Sequence, residues 1–117
     1  TAATFSRRHR LIHKADYQKV FKKADKTSDG FFTVLWRPNI LGFPRLGLAI
    51  SKKHLKRAVD RNLVKRLVRE SFRNQTVSLP GVDIVVLAGR RVNQANNKQI
   101  ADSLSRRWNS IQTSTIK

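Results

Sequence analysis

Apolar residues at Val59, Leu63, Val64, Leu67, Val68 and Phe72 recur at helical spacing, while Arg57, Arg61, Lys65, Arg69 and Arg73 recur at every fourth position. Both sets need a helix over 57–73. At ~100° per residue, Leu63, Val64, Leu67 and Val68 share one arc, and Arg61, Asn62, Lys65, Arg66, Arg69 and Arg73 share another of roughly 140°. Earlier in the chain, Tyr17, Val20, Phe21 and Ala24 fall on one side of a predicted helix over Ala15–Lys23, with Asp16 favourably placed at its N-terminal end. Lys98–Ile111 reads as a last helix, with Ile100, Leu104, Trp108 and Ile111 on one stripe.

Three segments carry strand patterns. FFTVLWRP is one and Pro38 ends it; RLGLAIS is a second, with Leu46, Leu48 and Ile50 on one face. The short NILGFP loop between them suggests an antiparallel pair. VDIVVLAG is a continuous apolar run of strand length, which implies burial on both faces. DKTSDG, Asp25 to Gly30, reads as a turn, KKHLK and NQTVSLPG as the loops flanking the 57–73 helix, and RRVNQANN as a loop that offers Asn caps. The order α, β, β, α, β, α predicts an α/β domain of the α+β sandwich type, one small sheet with helices packed on it. Residues 1–117 form a single domain without repeat, low-complexity tract or linker, and residues 1–14 are a basic arm, expected to be extended from Phe5 on.

Charge sharpens this picture. Lys and Arg number 25 against 7 Asp and Glu, a formal charge of +18 on 117 residues with a pI near 11.8. A solvated helix face usually interleaves acids with bases, because like charges at i,i+4 repel. Between Arg57 and Arg73 only Asp60 and Glu70 interrupt the cations, so the face is built for an anionic partner. A polyanion is the leading class. No apolar run approaches the ~20 residues of a membrane span, and TAATFSRRHR lacks the apolar core of a signal peptide, so a cytoplasmic protein without membrane contact is expected. Position 1 is Thr, and an initiator is expected upstream.

Candidate chemistry is sparse. Cysteine is absent, which excludes disulfides and thiolate metal sites. The carboxylates, Asp16, Asp25, Asp29, Asp60, Glu70, Asp83 and Asp102, are scattered, whereas metal-dependent nucleases cluster them. His9, His13 and His54 show no ligand spacing, and the glycines form no phosphate-cradling motif. Most aromatics are expected in the core. Tyr17 and Phe21 lie one helical turn apart beside Lys22, Lys23 and the basic arm; core packing and the stacking of single-stranded bases both fit that setting.

KRAVDRNLVKRLVRESFR, preceded by GLAISKK, closely resembles the signature of the bacterial ribonuclease P protein subunit, with Lys52, Lys53, Ala58, Val59, Arg61, Asn62, Lys65, Arg66, Arg69 and Glu70 in register. The rest of the chain resembles the same family more loosely: Arg10-Leu11 before an aromatic-x-x-x-Phe helix, a PRLGL strand, a D-x-V-V strand and a terminal Trp-bearing helix. Two positions depart from the pattern. Leu63 stands where Arg is common, and Tyr17 where Phe is common. The first-strand aromatic of the family falls near Phe32, Leu35 and Trp36.

The resemblance implies a ribosomal protein S5 domain 2-like fold with a left-handed β-α-β crossover, against the usual hand. It implies a protein that binds the ribonuclease P catalytic RNA and the single-stranded 5′ leader of precursor tRNA, and that lowers the Mg²⁺ requirement of an endonucleolytic cut made by the RNA. The Mg²⁺ would be held mainly by RNA, with no metal, no catalytic residue and no obligatory protein partner on the protein itself. The RNA-binding residues so implied lie in the loop and helix 52–73: Lys52, Lys53, Lys56, Arg57, Arg61, Asn62, Lys65, Arg66, Arg69 and Arg73. The leader cleft would comprise Tyr17, Phe21, Phe32 and Trp36. A ribosomal or other structural RNA-binding protein is the alternative, and a free-standing protein ribonuclease is the enzymatic rival, which would cut RNA unaided.

Overall fold

The structure, a computed structural model, describes residues 9–115; most of the expected basic arm lies outside them. Its elements are helix α1 (Lys14–Lys22), strands β1 (Asp25–Ser28), β2 (Phe32–Pro38) and β3 (Arg45–Ala49), helix α2 (Ala58–Arg73), strand β4 (Val82–Ala88) and helix α3 (Asn97–Thr115), with a 3-10 turn at Val92–Gln94. The four strands form one sheet in the order β1-β2-β4-β3.

β4 is the centre of the molecule. Val82, Ile84, Val86 and Ala88 enter a core with Val64, Val68 and Phe72 of α2 and Ile100, Leu104, Trp108 and Ile111 of α3. Val85 and Leu87 face the other way, onto Val20 and Tyr17 of α1 and Leu11 of the arm. The continuous apolar run follows from this two-sided burial. The stripe predicted for the last helix is fully buried, and that helix starts at a reciprocal cap: Gln99 N–H donates to Asn96 Oδ1 at 2.8 Å and Asn96 N–H to Gln99 Oε1 at 2.9 Å.

Two expectations are corrected. DKTSDG is not only a turn: Asp25–Ser28 is an edge strand paired antiparallel with β2, from Asp25↔Trp36 to Ser28↔Thr33. Its polar composition hid it, because an edge strand with a solvated face needs little apolar surface and is protected by charge. The strands β2 and β3, joined by the short 39–44 loop, do not pair with each other. β4 lies between them, antiparallel to β2 and parallel to β3. The most apolar strand takes the position with two neighbours and two covered faces.

A polar network locks the end of the sheet. Asp83, 6% exposed in β4, accepts from Arg45 Nε at 2.8 Å, Arg45 Nη2 at 2.7 Å and Asn39 Nδ2 at 2.9 Å. Arg45 also reaches Asp16 of α1 at 3.5 Å, so one guanidinium joins α1, β3 and β4. The Asp83 hydrogen bond and charge outweigh burial and raise the Arg45 pKa above its already high ordinary value. Removing Arg45 would leave the buried Asp83 carboxylate without a cation, at a cost of about 3–5 kcal/mol.

Asp29 ties the β1–β2 turn to α3. Its Oδ1 accepts from the N–H groups of Phe31 and Phe32 at 3.1 and 3.2 Å, and its Oδ2 accepts from the Ser103 hydroxyl. Gly30 follows at φ 88, a conformation that suits glycine. Burial pushes the Asp29 carboxyl up, but Ser103, the two amides and Arg107 together hold it below the ordinary 3.8. A depressed carboxylate contributes stability above its unfolded pKa and loses it as pH falls through the folded one. Asp29→Asn is therefore expected to be less stable than wild type near neutral pH, with the gap constant down to about pH 4 and closing below it. Urea denaturation of both proteins from pH 7 to pH 2.5 measures this; a gap independent of pH would contradict it.

Candidate RNA interface

The polar arc of α2 divides into two flanks. Val64, Val68 and Phe72 point into the core. On one side of them, Lys65 and Arg69 line a cleft of about 390 Å³ whose other walls are Arg10 and Leu11 of the arm, Tyr17 of α1, and Leu46 and Leu48 of β3. Farther from the core, toward solvent, Asn62 and Arg66 stand exposed with Val59.

The cleft is built along the outer edge of β3. Leu11 N–H donates to Leu46 O at 2.9 Å, and Arg10 bridges Leu46 as a short parallel extension of the sheet. His9 anchors this segment, donating from Nδ1 to Pro44 O at 2.8 Å and meeting Phe43 and Phe72 edge-on. Tyr17 closes the next part of the edge, where its Oη accepts from Leu48 N–H at 3.2 Å. Its ring rests on Gly47: a Cβ there would come within 2.7 Å of two ring carbons. Glycine in a strand interior often marks such a close approach, so Gly47 was the signal in the sequence that something packs on this strand.

The structure corrects part of the expected aromatic set. Phe32 and Trp36, 0% and 3% exposed, belong to the core shared with α2 and α3, on the opposite face of the sheet from α1. Alternation along β2 gives the reason: Phe32, Val34 and Trp36 share a face, and Leu35 points to the α1 side, where it packs with Tyr17 and Val85. Tyr17 does line the cleft, and Phe21, one turn on, is 51% exposed.

Among the cations, Lys52, Lys53, Lys56, Arg57, Arg66 and Arg69 are exposed, and Lys65 and Arg73 are partly buried. Arg61 differs. Its Nη1 donates to Leu55 O at 2.9 Å and Lys56 O at 2.8 Å, so it clamps the loop that presents the lysines. No side chain caps the N-terminus of α2; Arg57 occupies that position and Asp60 lies in the first turn, 3.8 Å from Arg57 Nε. Among the described residues there is no group of three or more His, Cys, Asp or Glu placed to hold a metal ion, and no helix long and apolar enough to cross a membrane.

Fold and site together define a class: a small, strongly basic α+β protein, suited to a polyanion, that presents a cationic helix beside a cleft walled by Tyr17. The ribonuclease P family model matches residues 5–112. The ribonuclease P protein component of Chromohalobacter salexigens is 48% identical over 114 residues, covering 97% of this chain and 89% of that one. The Staphylococcus aureus RNase P protein superposes with a TM-score of 0.79 at 32% identity, covering 84% of this chain and 90% of that one. For the Thermotoga maritima RNase P protein the TM-score is 0.77 at 29% identity, with 87% and 96% covered. The chain belongs to the ribonuclease P protein family, the RNA-binding protein component of that enzyme.

The two roles seen on α2 separate under mutation. Arg61→Ala is expected to lower stability by about 1 kcal/mol through the lost carbonyl contacts, whereas Arg66→Ala leaves the melting curve unchanged. Arg66→Ala instead reduces the log–log salt dependence of RNA binding by about 0.7 to 0.9. Thermal melts and a salt titration of binding check both; equal melting temperatures for the two variants would contradict the clamp.

Proposed function

We propose that the protein assists a catalytic RNA in removing the 5′ leader of precursor tRNA, with the leader in the β3-edge cleft and the catalytic RNA on the loop and outer flank of α2. The single observation that carries this reading is the meeting of Tyr17 with Lys65 and Arg69 across one cleft. A ring beside two cations suits an unpaired strand, with bases on the ring and phosphates on the cations. Phe21 extends the apolar surface by one turn of α1. Lys65 and Arg69 thus go to the substrate, while Lys52, Lys53, Lys56, Arg57, Asn62, Arg66 and Arg73 go to the catalytic RNA.

The chemistry is assigned to the RNA and the Mg²⁺ it holds. The residues of the cleft are suited to binding phosphates; it contains no carboxylate to hold a metal and no paired nucleophile and base. The protein's cations offset repulsion between two RNAs, which is the work that additional Mg²⁺ would otherwise do. The setting proposed is the cytoplasm. A 5′-labelled precursor incubated with protein, RNA or both, across a Mg²⁺ titration, tests this. Protein alone is expected to be inert, and its addition to the RNA to lower the Mg²⁺ midpoint. Site-specific cutting by RNA-free protein would overturn the assignment.

The leader reading has its own test. Tyr17→Ala should weaken binding of precursor tRNA by about 1–3 kcal/mol and hardly affect mature tRNA, which has no leader. Gly47→Ala, which leaves Tyr17 chemically intact but takes its seat, should act in the same direction. Equal losses for precursor and mature tRNA would return Tyr17 to a packing role.

A further inference from the structure

The outer flank of α2 carries an apolar patch that the core does not use. Val59 is 59% exposed, and Leu63, one turn on, is partly buried. With Asp60, Asn62 and Arg66 they line a shallow cleft of about 430 Å³ that shares no residue with the Tyr17 cleft. Leu63 and Asp60 also border a smaller hollow of about 120 Å³, whose walls include Leu55, Val64 and Ile100 together with Asn93 and Asn97.

A phosphate gains nothing from Val59 and is repelled by Asp60. The position of Asp60 in the first turn of α2 suits the helix dipole, but that leaves the exposed valine unexplained. An unpaired nucleobase reverses both objections. Its ring covers apolar surface, and amino or imino groups on its opposite edges find an acceptor at the Asp60 carboxylate on one side of Val59 and at the Asn62 amide oxygen on the other. The phosphates on either side of it would lie within the field of Arg66 and Arg57. The patch is also continuous with the cationic face, which argues for RNA over an apolar protein partner.

We propose that Val59, Leu63, Asp60 and Asn62 form a seat for an unpaired base of the catalytic RNA, distinct from the phosphate contacts of the cations. This rests on the assignment of the outer α2 flank to that RNA. Leu63, the departure from the arginine common in the family signature, becomes the floor of the seat.

The two kinds of contact differ in salt dependence, because covering apolar surface releases no counterions. Val59→Ser, Leu63→Ser and Arg66→Ala are compared for binding to ribonuclease P catalytic RNA across a salt series, and to a fully paired RNA duplex of equal length. Each serine variant is expected to bind the catalytic RNA about fivefold more weakly, with the salt slope and the duplex affinity unchanged. Arg66→Ala should lower the slope and weaken both RNAs. Val59→Ser, at an exposed position, decides the matter if Leu63→Ser melts early. Wild-type affinity in the serine variant, an equal loss on the duplex, or a reduced slope would overturn the seat while leaving the phosphate contacts standing. Unchanged binding of both RNAs by Arg66→Ala would remove the α2 reading itself, and the seat with it.

Discussion

Burial of β4 on both faces is the constraint from which the rest of the architecture follows. A strand with apolar side chains on both faces needs a layer above and a layer below, and a paired neighbour on each side. The helices α2 and α3 supply one layer and α1 the other, while β2 and β3 flank the strand. β3 is thereby pushed to the edge of the sheet, where its outer side is open. The arm and Tyr17 close that edge only in part, and the space left between α1 and α2 is the cleft.

Three of the seven acids serve the same scaffold. Asp83 and Asp16 are drawn to Arg45 at the end of the sheet, and Asp29 is held among amides, Ser103 and Arg107. Carboxylates paired within the scaffold do little to neutralise α2, where only Asp60 and Glu70 interrupt the cations, so the helix keeps most of its field. This is costly in self-repulsion for the free protein and relieved when RNA arrives. Arg61 shows the division within one helix: its guanidinium is turned onto two backbone carbonyls, while the next exposed cation on the outer flank, Arg66, is left to solvent.

Much of this was legible in the residues alone. Helical periodicity located α1, α2 and α3 to within a few residues, the apolar run identified the buried strand, and the R-N-x-x-K-R-x-x-R-E pattern identified the family. These are local properties: a side chain's place on a helix or strand follows from its spacing, and a cationic arc is visible without knowing what lies opposite. The sequence by itself therefore determined that one helix carries a cationic face suited to a polyanion and that one strand is central.

What only the tertiary structure decided was which faces meet. Strand β1 carries Asp, Lys, Thr and Ser and becomes a strand only because the edge of β2 offers its backbone a partner. Phe32 and Trp36 are aromatic and near the expected cleft in sequence, yet the pleat sends them to the opposite side of the sheet from Tyr17. Lys65 and Asn62 lie three residues apart in one motif, and only the placement of α1 and β3 turns the first toward a cleft and leaves the second outside it. Side-chain type is encoded at each position, but its partner comes from a distant segment, and the layer order of the sheet decides which segment that is.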